Sequence, residues 1–284
     1  MNKHKSIRIK LIALVTAFFT ALTIPCTAYA LESPLDTVWG SIPASAYMGA
    51  AFYKEGNSFK FPISYLEDME EGKSYPDKVS RIYAEAYKQS AYLFIADYIS
   101  YTYSESWDYV LVNRYPVLSA DKERNMMNVL ENEANRIISE IIKPNMSDYD
   151  KAVTIYNYVR KAAIYDWDAY YAIIDANWQN RKSEFVMGTS AYGCLILGKS
   201  VCQGYAHAYN LLARKAGLTS IMASGTVGDN QHAWNRVWAD GRWYEVDATY
   251  NGFYKTFAEY QADIGATGYN NNTLLESSMS NYYS

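Results

Sequence analysis

Gln231-His232-Ala233-Trp234-Asn235-Arg236-Val237-Trp238-Ala239, then Asp240-Gly241, then Arg242-Trp243-Tyr244-Glu245-Val246-Asp247-Ala248-Thr249 is the stretch whose reading decides the fold. Two runs rich in aromatic and β-branched side chains flank Asp-Gly, a pair that tolerates positive φ at both positions. The sequence therefore predicts a β-hairpin with a two-residue turn. Such a turn pins the register: Ala239 faces Arg242, Trp238 faces Trp243, and Arg236 faces Glu245 as an opposite-charge pair. One face of the hairpin then carries Ala233, Val237, Tyr244, Val246 and Ala248, interrupted only by Asn235. On the other face His232 and Asp247 become diagonal neighbours, with Cα atoms about 7–8 Å apart and side chains within reach. A carboxylate so placed can hold an imidazole in the tautomer that accepts a proton.

Working backwards, Ser200-Val201-Cys202-Gln203 has the form of a capping box, in which Ser200 caps a helix and Gln203 reaches back to its amide. The helix is expected to run to Ala216 and stop at Gly217. Cys202 falls at its second position, where unpaired N–H groups and the positive end of the helix dipole favour a thiolate. The same amides could hold the oxyanion of a tetrahedral intermediate. His207 lies five residues further on, about 140° round the helix, and is a poor base for that thiol. It reads as a packed or surface residue. Further upstream, apolar spacing predicts helices over Asp77–Ile99 and Asp121–Ile142 and another starting at Ser147, with a strand over Trp107–Asn113. Helices come first and strands last, so the fold class is α+β.

GKSVCQGYAHAYNLLARKAGL (198–218) followed by QHAWNRVWADGRWYEVDATY (231–250) resembles the transglutaminase-like superfamily, a branch of the papain-like cysteine enzymes. The likeness extends over roughly residues 120–255, and the helix ending at Val159–Asp166 is similar to the family's lead-in. The resemblance implies a core in which helices precede an antiparallel sheet, and it carries three roles onto this chain. Cys202 matches the nucleophile, His232 the general base in H-A-W-N, and Asp247 the orienting acid in V-D-A-T. Cys194 reads as a buried free thiol, with a Cys194–Cys202 disulfide as the alternative.

The remaining expectations come from composition. The 284 residues include 26 Lys and Arg against 30 Asp and Glu, a net charge of -4, which argues against nucleic acid as a partner. The 29 tyrosines suit broad recognition surfaces as well as cores. Lys3, Lys5, Arg8 and Lys10, the apolar run Leu11–Ile24 and Ala28-Tyr29-Ala30 together predict a signal peptide over residues 1–30, too short to span a membrane. Beyond it the expected organisation is a Tyr-rich region over 31–118, a catalytic domain over 119–255, and a partly disordered tail over 256–284. The remaining histidines and cysteines lack metal-ligand spacing, and the glycines near Gly225 and Gly228 are isolated turns, so neither metal nor other cofactor is expected. The reading is a secreted or cell-envelope cysteine enzyme that hydrolyses amide bonds of a protein or peptide substrate through a thioester. Two alternatives are a cross-linking transglutaminase and a non-catalytic module that binds a cell-surface polymer through its aromatic surfaces.

Overall fold

The structure is a computed structural model that describes residues 43–67, 74–175 and 182–267, all within one unit, Thr37–Ser284. The expected signal peptide and the tail beyond residue 267 lie outside the described residues.

The first elements are α1 (Pro43–Lys54), β1 (Ser58–Pro62), α2 (Ser64–Glu67) and α3 (Tyr75–Gln89). Helix α3 starts where the Ser74 hydroxyl accepts from the Asp77 amide, with Pro76 in the first turn, and it buries Val79, Ile82 and Ala86. It does not continue to Ile99 as the periodicity predicts. Ser90 is extended and every residue from Ala91 to Ala96 is buried, which fits a connector running through the core and not one face of a helix. The chain then enters β2 (Ala96–Thr102) and β3 (Tyr109–Pro116). Strand β3 runs three residues past Asn113 because Arg114 and Tyr115 still pair with β2, and Pro116 stands at its end. These strands form an antiparallel sheet in the order β1-β3-β2.

Two long amphipathic helices follow, α4 (Ala120–Ile141) and α5 (Asp148–Ala162), capped by the side chains of Ser119 and Ser147. Next come β4 (Ile164–Tyr165), α6 (Trp167–Asp175), α7 (Ser183–Gly188), a π-helical turn over Gly193–Leu197, β5 (Lys199–Ser200) and α8 (Cys202–Lys215). Strands β4 and β5 pair in parallel. The chain finishes with β6 (Thr219–Val227), β7 (Asn230–Ala239), β8 (Arg242–Asp247), β9 (Gly252–Tyr254), α9 (Phe257–Ile264) and β10 (Ala266–Thr267). Their antiparallel sheet has the order β10-β6-β7-β8-β9, and α8 packs on β6 and β7. This is the α+β class, with helices before the main sheet.

The hairpin β7–β8 has the expected register, from Ala239 opposite Arg242 to Asn235 opposite Val246, with Asp240 at φ 46° and Gly241 at φ 82°. Arg236 and Glu245 form a buried ion pair at 2.7 Å. The apparent flaw on the apolar face has a purpose: buried Asn235 donates to the Ala206 carbonyl at 3.0 Å and so ties β7 to α8. Around that tie, Ala206, Met222 and Ala233 pack together with Cys202 against them. The core is continuous across residue 118: Ile221 of β6 belongs to the cluster built by α1, β1, α3 and β3, and Phe94, Ile95 and Leu118 pack with Met126 and Val201.

Candidate active site

Strand β5 delivers the chain to Cys202. Tyr165 lies opposite Ser200 in the β4–β5 pair, and the Asp166 amide donates to the Ser200 carbonyl at 2.9 Å. Because Ser200 is a strand residue, its side chain turns inward and its hydroxyl donates to the Gly188 carbonyl at 2.7 Å. The capping box expected here is therefore not formed. Val201 is the N-cap, without a side-chain bond, and Cys202 is the first residue of α8 and not the second. The amides of the first turn are thus left without a side-chain cap. At the other end, Gly217 stands at φ 82° just past the C-cap Ala216, as its sequence position predicts.

His232 on β7 and Asp247 at the end of β8 meet as the hairpin register requires. The His232 Nε2 stands 2.7 Å from Asp247 Oδ2, with both side chains buried. Since Nε2 faces the carboxylate, Nδ1 is the nitrogen left for Cys202, which packs against the cluster containing Ala233, the next residue of β7. Burial of the ring works against its charged form. The Asp247 carboxylate and Cys202 outweigh that and push the His232 pKa up to about 10. The indole of Trp234 lies parallel to the imidazole at 6.2 Å, and the Tyr250 ring meets it edge-on at 4.9 Å. Trp234 is itself held by its Nε1, which donates to buried Glu245 at 2.8 Å.

Asp247 has no exposed surface, and each of its oxygens accepts twice. Oδ1 takes the amides of Thr249 and Tyr250 at 2.9 and 3.0 Å, while Oδ2 takes His232 and the Tyr260 hydroxyl, each at 2.7 Å. Such a carboxylate is held in one orientation. Tyr260 is a residue that sequence reasoning misses. It sits on α9, inside the stretch expected to be tail, and burial against Asp247 pushes its hydroxyl pKa well up. The local signal existed: Thr256 and Glu259 have capping-box spacing, Thr256 caps α9, and Glu259 accepts from the Lys255 amide. Tyr165 and Tyr250 are also missing from the sequence reading.

The other titratable groups stand apart. His207 is buried against Tyr87, and burial together with nearby Arg214 lowers its pKa to about 3, so it remains neutral. Both cysteines of the described residues are free thiols, so the disulfide alternative is not what the structure holds. Cys194 is wholly enclosed, and burial pushes its thiol pKa up. Among the described residues no cluster of His, Cys, Asp or Glu could hold a metal ion, and no helix is long and apolar enough to cross a membrane.

Residues 135–248, which include Cys202, His232 and Asp247, match the transglutaminase-like superfamily. The Kyphoscoliosis peptidase of Mus musculus is 25% identical over 128 residues, a match spanning 41% of this chain and 18% of that protein. Among solved structures, a transglutaminase aligns at 16% identity over 54% of this chain and 44% of its own, with a TM-score of 0.36. A candidate cysteine protease of Cytophaga hutchinsonii aligns at 14% identity over 56% of this chain and 65% of its own, with a TM-score of 0.33.

Proposed function

From a chain that carries a transglutaminase-like core, the core of a family of cysteine-dependent enzymes, we propose that residues Cys202, His232 and Asp247 act together in acyl transfer, hydrolysing amide bonds of proteins or peptides. The observation that carries the reading is the buried His232–Asp247 pair beside a cysteine at a helix start. An imidazolium at that place favours the thiolate, and the sulfur adds to the amide carbonyl, forming a C–S bond. The carbonyl oxygen takes the charge at the Cys202 amide, at the start of α8. His232 then gives its proton to the departing amine, the C–N bond breaks, and a thioester remains. Water attacks the thioester, His232 takes a proton from it, and the acid leaves as the sulfur is restored. Asp247, held by four donors, keeps the imidazole oriented through both halves. The site of action we propose is outside the cell or in its envelope, as the leader predicts.

The test is intact-mass analysis of a protein substrate incubated with and without a primary amine, using wild type and Cys202→Ala. Peptide release that vanishes in the variant supports hydrolysis. Amine-dependent mass gain with ammonia release assigns transamidation to the same sulfur. An unchanged substrate, or cleavage that survives Cys202→Ala, overturns the reading.

A further inference from the structure

Three large side chains of one helix near Cys202 are exposed to solvent. Helix α6 buries Ala169 and Ile173 and turns Trp167, Tyr171 and Ile174 outward, at 56%, 58% and 49% exposure. Those three positions, at i, i+4 and i+7, make one helical face. A helix that only filled space would carry polar residues there, and a contiguous apolar face on a soluble protein marks a binding site.

The face is continuous with the nucleophile. Trp167 packs on Tyr165 with ring centres 4.7 Å apart, on Tyr170 at 5.6 Å, and on Tyr171 at 6.1 Å. Tyr165 stands opposite Ser200, two residues before Cys202, and Tyr250 meets the His232 ring edge-on at 4.9 Å. The Tyr170 hydroxyl donates to Asn230 at 2.9 Å, which fastens α6 to the start of β7, two residues before His232. The aromatic run is therefore fixed against both sides of the site. Its charge is one-sided as well: α6 contains Asp168 and Asp175 and no basic residue, and nearby Lys199 is already paired with Asp166 and Asp168 at 3.3 and 3.2 Å.

We propose that the surface formed by Tyr165, Trp167, Tyr170 and Tyr171 is the subsite for the substrate side chain next to the attacked carbonyl, and that it selects aromatic and large aliphatic side chains over acidic ones. The inference rests on the acyl-transfer reading above. Flat rings contribute contact area at little entropic cost, which suits a peptide side chain lying along α6. The carboxylates of α6 repel an acidic one.

Blocked amino-acid chloromethyl ketones test this, since Sγ displaces chloride and the covalent adduct is counted by mass. With wild type, the phenylalanine reagent should label Cys202 about tenfold faster than the alanine reagent, and the aspartate reagent slower than either. Trp167→Ala and Tyr171→Ala should each bring the phenylalanine-to-alanine ratio towards one, and Trp167→Phe should restore it. Iodoacetamide on wild type separates the two claims. If it labels Cys202 no faster than buried Cys194, the acyl-transfer reading fails. If it labels Cys202 readily but the three chloromethyl ketones react alike, or both alanine variants keep the ratio, the subsite is refuted. Sedimentation showing wild-type self-association that Trp167→Ala abolishes would instead assign the face to a second copy of the chain and overturn the proposal.

Discussion

A carboxylate with no exposed surface is costly unless its lone pairs are occupied, and Asp247 accepts from two amides, one imidazole and one phenol. At the residue scale this arrangement decides the charge of His232, because burial alone would favour the neutral ring. Asp247→Asn removes the largest influence that favours the imidazolium, so the imidazole pKa should fall well below about 10. An imidazole titration followed by NMR reads this directly, and a value still near 10 in the variant would show that Asp247 is not what holds the proton. The two buried histidines also act in opposite directions on stability. The folded pKa of His232 is raised, so its contribution is complete below 6.5 and is lost as pH rises towards about 10. The folded pKa of His207 is lowered, so its neutral burial costs stability as pH falls from 6.5 towards about 3. Denaturant midpoints measured from about pH 4 to about pH 9.5 should lose their alkaline decline in His232→Gln and part of their acid decline in His207→Gln. Parallel curves for wild type and both variants would contradict the assignment.

At the scale of single elements, two glycines separate local conformation from tertiary fit. Gly241 sits at φ 82° in the hairpin turn with open space around it, so Gly241→Ala meets only the strain of a left-handed residue, about 1–2 kcal/mol. Gly204 is in the first turn of α8, where alanine would favour the helix by about 1 kcal/mol. A Cβ there would stand 1.9 Å from the Ser200 hydroxyl and 2.7 Å from the Ser190 carbonyl. The clash wins, because backbone on one side and the β5 strand on the other cannot both yield. Gly204→Ala should therefore lose more stability than Gly241→Ala and should slow alkylation of Cys202 by displacing the helix start. Gly241→Ala should leave that rate unchanged. Thermal midpoints, which move about 2–4 °C per kcal/mol in a chain of this size, and iodoacetamide rates together check both halves.

For the whole molecule, the question is whether residues 43–118 are an appendage or part of the fold that holds the site. Arg114 on β3 grips Glu123 on α4 through two 2.7 Å bonds and also binds the Phe94 carbonyl, all buried. Gln89 at the end of α3 bonds both the amide and the carbonyl of Met222 on β6, while Asn210 and Arg214 of α8 bond its own carbonyl. A fragment of residues 119–255 would leave these groups buried without partners and would also lack Tyr260. It should show no cooperative unfolding transition, whereas residues 37–284 should unfold in one step by circular dichroism and tryptophan fluorescence. A fragment with its own sharp transition would make the first region an independent module. Sequence by itself determined what depends on near neighbours: the class of fold, the Asp240-Gly241 turn and the register it imposes, the cap at Ser147, and hence the meeting of His232 with Asp247. Only the tertiary structure decided what depends on partners from distant elements. Ser200 has the spacing of a cap, but its place beside Tyr165 in a parallel strand pair sends its hydroxyl to Gly188. Tyr260 bonds Asp247 only because α9 folds back over the sheet, and Tyr165 stands opposite Ser200 only because β4 lies against β5. The physical reason is that turn chemistry and strand alternation act over a few residues, whereas a buried side chain takes whichever donor or acceptor the packed chain brings to it.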